Sequence, residues 1–384
     1  MQNIKMGQLI LAAILAIFVY GVIAAMLGTI MPTFKLTPEQ NGNVALAQAL
    51  GLVIASVSVG PLIDAKGKKT ALVLGLGIIT AALFALPNTG SYGAIMATMF
   101  GLGFGGGVIV TAANALVSDI GEARRASVLN LLNLFFGLGG LATPFIAANF
   151  LRGDAVSLCY LAAVLAAVTF VLHIATRMPA PAGGQSFKAG EAAKLLSRPA
   201  LYLLALFLFL YVACEVGVWN WLASYLMSQG IPEKSALNIL SLGFALGILL
   251  GRVVVSRILI NVPAITVTLA SAVLMAITTY LMLNTSDPTI AWIAVFCAGL
   301  SMAPVFPTTL AIVGDVFPRM TATAMGIVIT CGWIGLAVSS PIIGAIAGGN
   351  STNLRNALLI IPAFSGAMIL VNLALRPALK KQTV

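Results

Sequence analysis

The sequence predicts an all-α membrane protein of twelve transmembrane helices, arranged as two pseudo-symmetric six-helix bundles. Three observations carry that prediction. Charged residues make up 8% of the chain and hydrophobic ones 60%, whereas about a quarter of a soluble domain is charged. Apolar runs of the roughly 20 residues needed to cross a bilayer core occur twelve times, at about 8–31, 42–63, 70–88, 92–117, 126–150, 156–176, 200–228, 235–257, 263–284, 289–316, 322–347 and 356–375. The connections between them are short except for residues 177–198, where Pro179, Pro181, Gly183, Gly184, Lys188 and Lys194 give the composition of a linker. This connection follows the sixth span and divides the chain into an N-terminal bundle at 1–176 and a C-terminal bundle at 199–384.

The first run follows Lys5 and is long enough to cross, so it reads as a spanning helix rather than a cleaved signal. With the N-terminus inside, 16 of the 20 basic residues collect on the cytoplasmic side, counting Arg252 from within the eighth span. Lys35, Arg152, Lys234 and Arg355 remain outside. Basic loops are retained in the cytoplasm, which puts both termini there, in a bacterial plasma (inner) membrane. The net charge of +10 is therefore a topology signal and not a footprint for nucleic acid. Cys159, Cys214, Cys297 and Cys331 lie inside apolar runs without paired spacing, which indicates neither a disulfide nor a metal site.

Between the second and third spans, Gly60 to Lys69 places Asp64, Lys66, Lys68 and Lys69 in one tight group. The halves echo one another. Aligning Gly60 with Gly251 sets Lys66 opposite Arg257, and Asp119 followed by Arg124 and Arg125 matches Asp315 followed by Arg319. Internal repeats of this kind are a transporter feature, with the substrate site expected between the repeats. Gly101, Gly103, Gly105, Gly106 and Gly107 in the fourth span, and Gly137, Gly139 and Gly140 in the fifth, allow close helix approach. Pro144, Pro304, Pro307, Pro341 and Pro362 interrupt spans and are expected to kink them. The Gly60 loop resembles the loop between helices 2 and 3 of the major facilitator superfamily, in which Gly is followed four residues on by Asp, then a basic residue, Gly and two more basic residues. That resemblance implies a cytoplasmic gate at Asp64, Lys66 and Lys68. Asp119, Arg124, Asp315 and Arg319 of the echoing hairpins, and Arg252, are assigned to the same gate.

Glu215 is the acid at the middle of a span, in the run from Tyr211 to Tyr225 of the seventh. An ionisable group at that depth is costly and marks function by default, here the binding and release of a coupling proton. At helical spacing Tyr211, Glu215 and Trp219 share a face, and Trp221 and Tyr225 share a neighbouring one. Acid and aromatics together suit a sugar ring, which offers apolar faces and hydroxyls. Tyr20, Gln48, Asn114, Asn133, Asn220, Thr330 and Trp333 add neutral polar or aromatic groups from other spans and the same one. For each Asn or Thr, helix–helix hydrogen bonding is an equal reading. Catalysis fails on inventory: His173 is the single histidine, with no metal-ligand cluster, no Ser–His pair and no phosphate-binding Gly-rich loop with Lys. No cofactor or metal is expected.

Four more stretches narrow the resemblance: Thr111-Ala-Ala-Asn114, Leu129 to Gly139, Glu215 to Tyr225, and Gly299 to Thr308. They look like the fucose-permease-type sugar symporter branch of the superfamily. Three departures stand out. Gly28 and Val110 occupy the places of that branch's buried Asp and Glu, and Asn133 replaces its helix 5 His. The resemblance implies a monomeric secondary transporter in the lipid bilayer, moving a sugar-like small molecule by alternating access with proton-coupled uptake, and Glu215, the acid left at mid-span once the branch's own acids are absent, is the candidate for the coupling. The alternatives are a sugar uniporter and a proton-antiporting exporter of drugs or amphipathic compounds. The exporter draws on the glycine-rich fifth span ending at Pro144, although Thr143 stands where the antiporter pattern has Gly.

Overall fold

Hydrocarbon offers no hydrogen-bond partner to a peptide group, so a chain crossing it must satisfy every N–H and C=O internally. The computed structural model meets that demand with helices, and among the described residues there is no strand. The described residues are 6–120, 125–178, 196–259, 261–285, 287–317, 321–348 and 353–380. The first half contains α1 (Met6–Ile30), α2 (Pro38–Ala85), α3 (Tyr92–Ile120), α4 (Arg125–Asn149) and α5 (Ala155–Ala175). The second begins with α6 (Pro199–Ser228) and α7 (Glu233–Asn238), which passes through a π-helical turn (Ile239–Ala245) into α8 (Leu246–Ile258). Then come α9 (Ala264–Leu283), α10 (Pro288–Met302), α11 (Val305–Val316), α12 (Thr321–Ala347), α13 (Leu354–Leu358) and α14 (Ile360–Lys380).

Eleven described stretches are long and apolar enough to cross a membrane, and the first half of α2 completes the twelve expected spans. The hairpin expected over Gly60–Lys69 is nearly absent. α2 stays helical through it and breaks at Gly67, with φ 83° and ψ 163°, a conformation open to glycine because it has no Cβ. Proline sets another boundary: Pro304 has no N–H to continue the ladder, so α10 stops at Met302 and α11 begins at Val305. Short polar side chains start several helices. Asp154 accepts from the Val156 N–H at 3.0 Å and the Ser157 hydroxyl at 2.6 Å, and the Ser157 bond chiefly holds its carboxyl below the usual range.

The chain divides into two compact units, one of Met1–Lys35 and Asn43–Gln185, the other of Leu36–Gly42 and Ser186–Val384. In the first, α1 packs on α4, α3 and α5. In the second, α6 takes the corresponding place against α12 and α14, α9 lies on α14 and α10, and α10 on α8. Lipid tails are as apolar as leucine, so close packing rather than apolar burial holds such helices together. Glycine makes that approach possible here. A Cβ on Gly103 would run into the Gln48 carbonyl, one on Gly51 into that of Phe100, and one on Gly21 into that of Phe136. In the second unit Gly247 meets the Phe296 carbonyl, Gly299 that of Phe244, and Gly335 that of Phe209.

These notches reveal the internal repeat. Gly51 answers to Gly247, Gly103 to Gly299 and Phe100 to Phe296, since 247 − 51, 299 − 103 and 296 − 100 are all 196. Ser91, which accepts from the Ala94 N–H at 3.2 Å to start α3, answers to Asp287, which accepts from the Thr289 and Ile290 N–H groups at 2.8 and 2.9 Å to start α10. Asp119 and Asp315 keep the same offset. Gly60 and Gly251 do not. In the structural frame Gly251 corresponds to Ala55, with Gly251 packed on Ala303 where Gly107 packs on Ala55.

Gly103→Ala and Gly299→Ala are each expected to cost about 1–3 kcal/mol through the clash with a backbone carbonyl, read as a lower unfolding temperature in detergent. Gly366→Ala, inside α14 with nothing within 4 Å of the added carbon, is expected to stabilise by up to about 1 kcal/mol. Equal effects at all three sites would contradict the notch assignment.

Candidate functional site

Residues four apart share a helix face, and on α6 that spacing sets Tyr211, Glu215 and Trp219 in a row. Glu215 is half-buried. Its carboxylate lies in the field of the Arg252 guanidinium on α8 and faces the Tyr211 hydroxyl and the Trp219 indole N–H. Tyr211 is 0% exposed. Its hydroxyl makes no hydrogen bond of normal geometry, so its interaction with Glu215 and Arg252 is electrostatic. The Trp219 ring meets Phe244 edge-on, with centroids 5.2 Å apart and planes at 75°, and Phe244 belongs to the π turn. An acid, a cation, a buried phenol and an aromatic edge thus gather within the second unit. Such a set can accept from ligand hydroxyls and lay a ring against an apolar face.

The other expected binding residues are distributed between the units. In the first, the Tyr20 ring lies against Phe136, with centroids 5.2 Å apart and planes tilted by 32°, and over Gly106, which has no Cβ to obstruct it. Gln48 Nε2 donates to the Ile23 carbonyl at 3.4 Å and Asn114 Nδ2 to the Val110 carbonyl at 2.8 Å. Both are half-buried, as is Asn133. In the second unit Asn220 is 5% exposed and donates to Ser340 Oγ at 3.0 Å, joining α6 to α12. Trp221 is 1% exposed, and its indole N–H is buried without a hydrogen bond. Thr330 and Trp333 are half-buried on α12, with the Trp333 ring 6.5 Å from Phe306. The structure therefore brings Glu215 together with Trp219, while Asn220 and Trp221 turn into the packing of α6.

Among the residues assigned to a cytoplasmic gate, Lys66 and Asp315 are exposed and Lys68 is half-buried. The side chains of Asp64 and Asp119, and Arg124 and Arg319 entirely, lie outside the described residues. The charge of Arg252 bears on Glu215 and Tyr211. His173 is buried on α5, with Nδ1 2.7 Å from the Thr169 carbonyl oxygen. Among the described residues there is no group of three or more His, Cys, Asp or Glu that could hold a metal ion. Sequence reasoning passed over Phe244, whose signal was the repeat: it stands 196 residues after Gln48, and Trp219 stands 196 after Ile23 (244 − 48 and 219 − 23). Gln48 touches Ile23 as Phe244 touches Trp219.

The family model for the Major Facilitator Superfamily matches residues 9–340 and, in a second overlapping match, 234–383. Bypass of stop codon protein 6 of Saccharomyces cerevisiae is 23% identical over 390 residues, covering 90% of this chain and 78% of that protein. The glucose/mannose transporter GlcP of Bacillus subtilis is 23% identical over 385 residues, covering 94% and 92% respectively. A mutant of the nucleoside transporter NupG superposes with a TM-score of 0.81 at 15% identity, over 96% of this chain and 99% of that one. A mutant of the E. coli fucose:proton symporter FucP gives 0.68 at 18% identity, over 95% and 98%. At these identities the two structures speak to the fold alone.

Asn220→Ala removes the hydrogen bond to Ser340 and is expected to cost about 1 kcal/mol. In a double-mutant cycle on detergent unfolding, Ser340→Ala should add little once Asn220 is gone. Fully additive losses would mean that the bond contributes nothing.

Proposed function

The chain belongs to the Major Facilitator Superfamily and is a multi-pass membrane transporter rather than an enzyme, and from that premise we propose that it takes up a sugar or similar small polar solute with a proton, by alternating access. The observation that carries this reading is the row on α6, where the half-buried Glu215 carboxylate sits beside the Trp219 indole and the charge of Arg252. A carboxylate and a guanidinium cancel in charge, which favours an uncharged, hydroxylated solute over an ion. Trp219 supplies the aromatic face, and Glu215 accepts from hydroxyls and exchanges the proton. Tyr20, Gln48, Asn114, Asn133, Thr330 and Trp333 are the further groups proposed to hold the solute. The names of two similar proteins, a glucose/mannose transporter and a fucose:proton symporter, support the substrate class.

The same reading sets the protein as a monomer in a bacterial inner membrane, with both termini cytoplasmic and residues 177–198 linking two six-helix bundles. In it the charges about Gly67, with Asp64 foremost, gate the cytoplasmic side. No cofactor is required, because the proton gradient supplies the energy.

Proteoliposomes with an inside-alkaline gradient should accumulate one or more of D-glucose, D-mannose, L-fucose and D-xylose, and a protonophore should abolish the accumulation. Glu215→Gln mimics the protonated acid, so it is expected to cut gradient-driven accumulation to below about a tenth while sparing counterflow exchange. Uptake by the wild type that ignores the gradient, or a Gln variant that still concentrates sugar, would overturn the coupling role.

Asp64→Ala is expected to slow turnover about 10-fold or more while sugar affinity changes by less than about 3-fold. Turnover at the wild-type rate removes Asp64 from the gate.

A further inference from the structure

The offset between the two halves changes once inside a span. At the glycine notch it is 196, and Ala49-Leu50-Gly51 reads as Ala245-Leu246-Gly247. Nearer the helix start it is 195, where Asn43-Val44 reads as Asn238-Ile239. The first turns keep that smaller offset: the Asn41 N–H donates to the Thr37 carbonyl at 2.9 Å in α2, and the Ala236 N–H to the Pro232 carbonyl at 2.9 Å in α7 (236 − 41 and 232 − 37). The second half therefore holds one residue more between Ile239 and Ala245. That is the stretch wound as a π turn, whereas residues 44–49 are α-helix. A π turn bonds i to i+5 in place of i+4, so it takes up the extra residue without ending the helix, and such turns recur at functional sites.

The inserted turn lies between two tryptophans. On one side Gly243 packs on α10, where an added Cβ would meet Val295 at 3.1 Å and Trp292 at 3.5 Å. On the other, Phe244 is 0% exposed, and its ring meets Trp219 of α6 edge-on at 5.2 Å and 75°. The first half carries Gln48 in the place of Phe244, and its amide reaches the Ile23 carbonyl of α1. Joining these two spans thus requires neither an aromatic ring nor an extra residue. Trp219 is half-buried and shares a face of α6 with Glu215. Aromatic pairs favour the edge-to-face arrangement, so the sealed Phe244 ring fixes the plane of an indole that is itself open to solvent.

We infer that Phe244 is a positioning residue for the solute: its ring, carried on the π turn, sets the plane of the Trp219 indole and with it the affinity for a solute ring. The inference rests on the reading of Trp219 as the aromatic face of the solute site. Phe244 is sealed from solvent and does not touch the solute, so it acts through Trp219 alone. A platform already held in its bound orientation loses less freedom when the solute arrives. Phe244 therefore strengthens binding and leaves the reorientation of the loaded carrier unchanged.

The test measures counterflow of the four sugars above by the full-length protein in proteoliposomes. Phe244→Leu is expected to raise the half-saturating concentration about 5-fold or more while the maximal rate stays within about 2-fold, and Phe244→Tyr, which keeps the ring, to stay within about 2-fold on both. In a Trp219→Leu background Phe244→Leu should raise the half-saturating concentration no further. A second measurement needs no substrate: the near-ultraviolet circular dichroism of Trp219, obtained as the difference between each protein and its Trp219→Phe counterpart, should be lost in Phe244→Leu and kept in Phe244→Tyr. A wild-type half-saturating concentration in Phe244→Leu, an equal loss in Phe244→Tyr, or a further loss in the Trp219→Leu background would overturn the inference. Should the wild type move none of the sugars, the proposed function falls, and the Trp219 signal still decides whether Phe244 holds the indole, an unchanged signal in Phe244→Leu counting against it.

Discussion

Close helix approach in a solvent that does not drive it is the constraint on which the rest of this structure depends. In water a helix pair gains by hiding apolar faces, whereas in lipid those faces are already satisfied and the gain must come from contact itself. Contact improves as backbones converge, and a Cβ at the crossing point prevents it. The 38 glycines of the chain, about a tenth of it against the usual roughly 7%, are spent partly on such crossings. Gly51 and Gly103 admit α2 to α3, Gly21 admits α4 to α1, and Gly247 and Gly299 admit α8 to α10. Once two backbones lie that close, the azimuth of every side chain along both helices is set. Glu215 and Trp219 owe their shared outlook to this: α6 is fixed in rotation against α12 where Gly335 meets the Phe209 carbonyl.

A frame used twice makes its exceptions informative. Where both halves carry Gly, Phe or a capping residue at equivalent places, the residue answers to packing or to the end of a helix. Where one half carries Ser56 and the other Arg252, packing has been satisfied in two ways and does not explain the costlier one. The same reasoning sets the π turn apart, since a regular helix serves at residues 43–49. It also separates Asn220 from Glu215. Asn220 spends its amide on Ser340 across a helix interface, which is what a buried amide in hydrocarbon has to do.

The fold was legible in the sequence because its evidence is additive: twenty apolar residues in a row leave few alternatives in a membrane. Boundaries were less legible. Gly60, Pro61 and the following charges suggest a loop, yet a helix tolerates charged residues where it leaves the bilayer, and α2 needed a single break at Gly67. The repeat was legible at Asp119 and Asp315 and misread at Gly60 and Gly251, because a glycine can mark a turn in one place and a helix crossing in another. Of the site, the Tyr211–Glu215–Trp219 row followed from helical spacing alone. Arg252 did not, since the acid that feels its charge lies on another helix, which spacing along one helix cannot reveal. Trp221 looked equivalent to Trp219 by composition, and its enclosure depends on neighbours that spacing along one helix cannot reveal.

A pair that couples transport to protons must be separable by the energy at hand. Two unit charges about 4 Å apart attract by about 4 kcal/mol at the effective dielectric of a partly hydrated site, and by about five times that in a dry interior. A proton crossing a gradient equivalent to about 150 mV delivers about 3.5 kcal/mol, at 2.3 kcal/mol per 100 mV. The first attraction is of the same order as that supply and the second is several times larger. Glu215 is half-buried, whereas Tyr211, one turn away on the same face, is sealed from solvent. One turn in the opposite direction the row ends in the indole of Trp219. Between these two aromatics Glu215 lies in the field of the Arg252 guanidinium, the place at which the proposed function sets the exchange of the proton.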